Sequence, residues 1–204
     1  MIGSGVLWTL VYILIIKRGF QDKTCGMPLV ALCANISWEF VFSFVYPHRA
    51  PQFYVNIVWL GLDVVILFQF LRYGRSVLRN ILPTQLFYPA FLLVLGLSFG
   101  AILSVTREFG DWHGKYAAFG QNLMMSVLFV VMLYQRKGID GQSLYIALFK
   151  MLGTVLPSVL FYLRFPASPF LNFLYPMIFL FDGIYLVLLY KKLKERGINP
   201  WKRL

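Results

Sequence analysis

Three carboxylic acids, Glu39, Asp63 and Asp182, each stand inside a long apolar run, and one amine, Lys150, shares that situation. Carrying such a group to the middle of a bilayer costs on the order of 2.5–3.5 kcal/mol or more, so a function or a pairing must justify it. The chemistry open to these acids is proton transfer. A carboxyl stripped of water holds its proton at neutral pH and can deliver it to a bound base. Aromatic neighbours add a second capability: each ring face stabilises a nearby cation by about 0.5–2 kcal/mol. A dry chamber also keeps water from trapping that cation. The opposing reading is a hydrogen-bonded or ion-paired clamp between helices. Three acids against one amine weaken it.

Residue spacing groups these acids with polar and aromatic neighbours. Asn35, Glu39 and Ser43 recur every four residues and form one polar stripe. Asn56 and Trp59 share a helical face with Asp63, and Tyr175, Phe179 and Tyr185 share one with Asp182. Gln121, Asn122 and Ser126 follow one another in a later apolar run. Asn35, Ser43 and Asn122 are also residue types that hold transmembrane helices together by packing. Counted inward from the basic ends of the runs, Lys150, Asp63 and Asp182 share a depth, and Glu39 lies roughly 4–5 Å further in. Lys150 is therefore expected either to pair with one of the two aspartates or to snorkel to the headgroups. Glu39 is the acid least able to use it. Asp63 is expected as a structural group supporting the site, paired with Lys150.

The elements that must position these residues are membrane helices. Hydrophobic residues make up 59% of the 204-residue chain and charged residues 13%, whereas a soluble domain has about half and a quarter. Seven runs reach or approach the roughly 20 residues a bilayer requires. They are Ile2–Ile16, Pro28–Tyr46, Phe53–Leu71, Leu86–Val105, Tyr116–Tyr134, Ser143–Leu163 and Phe170–Tyr190. The first is short and is expected to be interfacial or strongly tilted. With no basic stretch before it, it reads as a retained helix rather than a cleaved signal. The fold class expected is all-α, a polytopic bundle of seven helices in a single domain over residues 1–204.

Orientation follows from Lys and Arg. Fourteen lie on one side, in the segments after the first, third and fifth runs and in the C-terminal tail. Four, Arg49, Arg107, Lys115 and Arg164, lie on the other. This places the C-terminus in the cytoplasm and the N-terminus outside or in a lumen. A shift of 119 residues overlays Lys17-Arg18-Gly19 on Arg136-Lys137-Gly138, Pro47 on Pro166, Asp63 on Asp182 and Arg72 on Lys191. That is the pattern of a 3+1+3 parallel repeat.

Other features narrow the function classes. The formal net charge of +11 comes from clusters between apolar runs, which suits a membrane surface and argues against nucleic acid as a partner. Cys25 and Cys33 have no metal spacing and are expected as free thiols. His48, His113, Glu108 and Asp111 fall in segments between runs; solvated loop polarity explains them better than a loose metal site. No metal and no cofactor is expected. A retinal-binding protein would need a lysine within the last helix, and none precedes Lys191 at its end.

The segment Asn35-Ile36-Ser37-Trp38-Glu39-Phe40, followed by Tyr46-Pro47, resembles the integral-membrane terpene cyclases of fungal meroterpenoid and indole-diterpene biosynthesis and their bacterial relatives, the paxilline and pyripyropene type. Further matches follow in order: Trp59 with Asp63, Gly120-Gln121-Asn122 with Met125-Ser126, Gly141-Gln142-Ser143 leading to Lys150 and Gly153-Thr154, and Phe181-Asp182-Gly183-Ile184-Tyr185. The resemblance implies a seven-helix enzyme acting on a lipophilic farnesyl or geranylgeranyl chain attached to an aromatic group. An acid protonates an epoxide or an alkene, and the polyene closes into fused rings through carbocations. Glu39 and Asp182 are the catalytic acids it implies, with Asn35, Trp38, Asp63, Asn122, Lys150, Phe179 and Tyr185 around the substrate or behind those acids. No metal is implied, and the chain has no Asp-rich Mg²⁺ motif. The implied partners are the prenylated substrate, membrane lipid and a pathway prenyltransferase or epoxidase. The expected location is a multi-pass protein of the endoplasmic reticulum in a fungus or the plasma membrane in a bacterium. The runner-up is a small 3+1+3 transporter with intramembrane acids.

Overall fold

The computed structural model describes residues 2–78, 82–136 and 138–204, with Ile2 described by its backbone alone. Among them the chain forms seven helices and no strand. These are α1 (Ile2–Gln21), α2 (Leu29–Phe40), α3 (Gln52–Leu78), α4 (Phe87–Glu108), α5 (Lys115–Gln135), α6 (Leu144–Arg164) and α7 (Pro169–Glu195). Six are long and apolar enough to cross a bilayer. The seventh, α2, runs on through a π-helical turn over Val41–Val45. In that turn the Phe42 carbonyl accepts instead from Asn56 Nδ2 at 3.2 Å and from the His48 amide at 3.1 Å.

Helix ends depart from the hydropathy boundaries for a physical reason. The helix α1 has 20 residues, so it is long enough to span rather than short. Both α3 and α7 continue past the apolar run into basic sequence. In α3 this is possible because Arg72 and Arg75 lay their guanidinium groups over ring faces, Arg75 at 4.5 Å from the centre of Tyr88 and Arg72 at 5.6 Å from that of Tyr73. Arg79, and the Lys137 used in the internal overlay, lie outside the described residues. Local signals set other ends: Ser143 caps α6, and Ser168 caps α7 ahead of Pro169.

Packing closes six helices into a ring in the order α1, α3, α2, α5, α7, α6, with α4 outside against α2 and α5. Exchanging α1, α2 and α3 for α5, α6 and α7 leaves that order unchanged. The α1–α6 seam is tight because Gly153 has no side chain: a Cβ there would stand 3.1 Å from Trp8 Cδ1. Ser4 Oγ accordingly reaches the Gly153 carbonyl at 2.7 Å.

The basic end of the ring is sealed. Arg203 donates to Asp22 at 2.7 Å, to the Gln142 carbonyl at 2.9 Å and to the Ile139 carbonyl at 3.1 Å. The same Asp22 accepts from the Gly141 amide at 2.7 Å and pairs with Arg18. Ser143 Oγ donates to the Arg203 carbonyl at 2.6 Å, and Lys192 caps the end of α5 through the Leu133 carbonyl at 2.6 Å. Cys25 and Cys33 are free and buried near this end, and burial pushes the Cys25 thiol up to about 11.

Candidate active site

A cavity of about 1440 Å³ lies between α1, α2, α3, α5 and α6. It exceeds the 300–1,000 Å³ of an ordinary small-molecule pocket. Six aromatic side chains, Trp8, Tyr12, Trp38, Trp59, Phe119 and Phe161, form much of its wall. Trp8 and Tyr12 stand 6.3 Å apart, and Tyr12 and Trp59 6.1 Å. The cavity opens where α1, α3 and α5 begin and α6 ends, opposite the sealed end. Val6, Leu10, Tyr54 and Val58 both line it and are exposed, so it also reaches the outer surface between α1 and α3.

Glu39 is the one acid in this wall among the described residues. It stands about 15 Å below the mouth ends of α1 and α3, judged from Tyr12 and Asp63 at 1.5 Å per residue. Tyr12 donates to Glu39 Oε1 at 2.7 Å. Asn35 Nδ2 donates to Tyr12 Oη at 2.9 Å, which turns the hydroxyl hydrogen toward Glu39. Gln121 Nε2 in turn reaches Asn35 Oδ1 at 3.5 Å. Behind Glu39, outside the cavity wall, lies the fully buried carboxyl of Asp63, in hydrogen-bonding range of Glu39. Among the described residues, no amine, amide or hydroxyl donor reaches Glu39 Oε2 or either Asp63 oxygen. Two buried carboxyls side by side without a cation cannot both be ionised, so a proton must lie between them.

Of the two aspartates open to it, Lys150 takes Asp182. Its Nζ donates to Asp182 Oδ1 at 2.6 Å and to Ser126 Oγ at 2.7 Å, and both charged side chains are at most 2% exposed. It therefore neither pairs with Asp63 nor snorkels. A depth count cannot say which helices meet: α6 packs against α7, whereas α3 packs against α1 and α2, so Asp182 faces Lys150 and Asp63 faces Glu39. The Lys150–Asp182 pair does not line the large cavity. It reaches the wall through Ser126, which donates to the Asn122 carbonyl at 2.9 Å, and through the Trp8 ring, 5.9 Å from Lys150 Nζ. Asn122 lines the cavity and donates to Thr154 Oγ1 at 2.9 Å.

Of the expected residues, Asn35, Trp38, Glu39 and Asn122 thus come together on one wall. Phe179 points outward, 54% exposed, beside a small groove between α6 and α7 that also touches Asp182. Tyr185 is buried toward the sealed end and donates to Gln142 Oε1 at 3.2 Å. Tyr12 and Trp8 were not anticipated. Their four-residue spacing marks a shared face, but an isolated hydroxyl within an apolar run carries no other signal.

The mouth is built by the segment between α4 and α5. Asp111 is not a solvated loop acid: it is fully buried and accepts from the Lys115 amide at 3.0 Å and the Tyr116 amide at 2.7 Å, satisfying the first turn of α5. Gly114 adopts φ of +64° and accepts from Trp38 Nε1 at 3.0 Å. A Cβ there would meet the Phe42 ring and approach Trp38 Nε1 at 2.8 Å. Gly114→Ala is therefore expected to destabilise the protein by about 1–3 kcal/mol from backbone strain alone. It should also move Trp38, and the two effects can be read as a lower melting temperature and a changed tryptophan emission. His48 stacks on Phe42 with its Nδ1 accepting from Asn56 at 3.0 Å and its Nε2 donating to the His113 carbonyl at 3.2 Å. Burial holds it below its ordinary value, in keeping with that neutral tautomer.

A family model for Pyr4-like transmembrane terpene cyclases matches residues 1–195. The chain belongs to this family. It is 32% identical over 170 residues to the Pyr4-family terpene cyclase mfmH of Annulohypoxylon moriforme, an alignment covering 81% of this chain and 69% of the relative. It is 31% identical over 167 residues to terpene cyclase macJ of Penicillium terrestre, covering 79% and 64%. With terpene cyclase pyr4 of Aspergillus fumigatus it shares 26% identity over 172 residues, covering 80% and 69%. The chain thus spans about two thirds of the length of these relatives. No solved structure matches. As a Pyr4-like family member with six helices fit to cross a bilayer, it is an integral membrane protein. Its family-implied acids, Glu39 and Asp182, occupy different surroundings: the first faces the aromatic chamber, the second is held by an amine behind it.

Proposed function

We propose that this chain is a membrane terpene cyclase that protonates an epoxide or alkene at the end of a prenyl chain, with Glu39 as the general acid. The observation that carries this reading is a lone wall acid with an unpartnered oxygen, backed by a second acid and set deep in an aromatic chamber. The Glu39 O–H delivers its proton to the epoxide oxygen, the C–O bond opens, and the next alkene supplies the electron pair that closes a ring. For an alkene start, the proton goes to carbon and the cation forms directly. Tryptophan and tyrosine faces stabilise the cation as it moves along the chain. The last cation loses a proton or takes up water. Asp63 shares the proton of Glu39 and positions it. Asp182 acts at one remove, fixing Lys150 and, through Ser126, the helix that carries Asn122.

The substrate class on this reading is a farnesylated or geranylgeranylated aromatic compound, supplied by a prenyltransferase and, for the epoxide start, an epoxidase. The basic end faces the cytoplasm, and the bilayer is the endoplasmic reticulum in a fungus or the plasma membrane in a bacterium. The unchanged neighbour order on exchanging α1, α2 and α3 for α5, α6 and α7 supports the 3+1+3 repeat. A transporter would need a polar path through the basic end, where Arg203 and Asp22 bind instead. The direct test incubates membranes containing the protein with a farnesylated phenol and with its terminal epoxide. A ring-closed isomer or hydrate of either substrate is expected, and its absence from both incubations would sink the reading.

A further inference from the structure

The mouth of the cavity concentrates positive charge. The sequence places four basic residues on this side of the bundle, and three of them, Arg49, Lys115 and Arg164, line the cavity. The fourth, Arg107, donates to the hydroxyl of Tyr46, itself part of the mouth, at 3.2 Å. Acids balance only Lys115 among them. Glu108 is not in the wall, and Asp111 is fully buried, engaged by the first amides of α5 and by Lys115 at 3.3 Å. Arg49 and Arg164 form no ion pair among the described residues. His48, also in the wall, is kept neutral by burial. Among the described residues the only acid lining the chamber is therefore Glu39, about 15 Å below the mouth at 1.5 Å per residue.

This polarity is a recognition device. A bare prenyl chain has nothing for the two unpaired arginines to hold. A chain attached to an anionic group has a natural orientation: its charge stays at the wet rim, where guanidinium groups pair well with carboxylates and similar anions, and its apolar end descends between the rings. Delivered this way, the end remote from the head group is the one that reaches Glu39. The reverse orientation would bury an anion beside two carboxyls.

We propose that the mouth is a head-group site for an aromatic acid, a ring carrying a carboxylate or comparably acidic group, held by Arg49 and Arg164, which line it. This rests on the cyclase reading above and adds the charge of the substrate and the direction in which it enters. Lipid phosphates share the same chemistry, and the test separates the two sources.

The protein is reconstituted in phosphatidylcholine vesicles and given two matched substrates, a ring-farnesylated hydroxybenzoic acid bearing a terminal epoxide and its methyl ester. The acid is expected to show a KM about tenfold lower than the ester, the scale of charge-assisted contacts at a partly solvated rim. Raising the salt should narrow that gap. In Arg49→Gln/Arg164→Gln the gap should close because KM for the acid rises while kcat stays within about twofold, the pattern of lost uniform binding. Replacing part of the phosphatidylcholine by phosphatidylglycerol should weaken the acid by competition and leave the variant indifferent. Equal KM values for acid and ester overturn the head-group site while leaving the cyclase reading intact. So does a variant whose defect is the same for both substrates, since it assigns the arginines to lipid. Conversion of neither substrate overturns both.

Discussion

Glu39→Gln should remove cyclisation almost entirely while leaving the fold in place. General acid catalysis contributes about 10²–10⁴-fold, and an amide cannot supply the proton, so a loss of that size is expected. The fold should survive because the replacement has the same shape and can still accept from Tyr12, the contact now made at 2.7 Å. It also removes a carboxyl from beside Asp63, where two acids lie together without a cation. Product formation is to be measured beside thermal unfolding in the same detergent. A clamp role for Glu39 makes the opposite forecast: Gln would preserve most of the activity. A variant that folds normally and cyclises at the wild-type rate would end the assignment of Glu39 as acid. Asp63→Asn keeps a polar group against Glu39 and should cost less than Glu39→Gln, because Asp63 lies outside the cavity wall.

Lys150→Met should be the most damaging change to stability. It leaves Asp182 buried without its partner, and breaking a buried pair in this way typically costs 3–5 kcal/mol. Asp182→Asn strands the ammonium group instead, with only Ser126 and the Trp8 ring, 5.9 Å away, to receive it. The double change Lys150→Met/Asp182→Leu removes both charges, and most of the lost stability should return. A double-mutant cycle on melting temperature or denaturant midpoint measures this coupling. Additive losses would deny that the pair acts as a unit. Activity supplies a second reading. If Asp182 only positions Lys150 and the α5 segment around Asn122, the double variant retains part of its cyclisation. A fall to the level of Glu39→Gln would put Asp182 into the chemistry itself.

The seven helices were legible because each apolar run is bounded by charge, proline or glycine. Their ends were less so, since hydropathy stops at the first arginine whereas α3 carries Arg72 and Arg75 against aromatic faces. Depth also left the partner of Asp63 open, because helix neighbours are not written in the sequence: α3 packs beside α2, which carries Glu39, and α6 with Lys150 packs beside α7. Glu39 itself was visible as an acid among apolar residues with a polar stripe, and its place in the wall agrees with that stripe through Asn35. Tyr12 was hidden because a tyrosine in a membrane helix is ordinary until a neighbour fixes its hydroxyl, and Asn35 and Glu39 do so only once α1 and α2 meet. Asp111 looked like any loop acid because its burial depends on α5 beginning just after it. Phe179 shared a helical face with Asp182 in projection, but α7 leans that aromatic toward the outside.

The seal at the basic end also has a kinetic consequence. Arg203, Asp22 and Gln142 close the far side, so the large cavity has a mouth and a flank but no back exit among the described residues. Whatever forms beside Glu39 must leave by the mouth or by the flank between α1 and α3, the same openings its precursor can use. A flexible polyene can thread between Trp8 and Trp59, whereas the fused rings made from it cannot straighten. Turnover on this reading is governed by departure, and product competes with fresh substrate for the mouth and the flank.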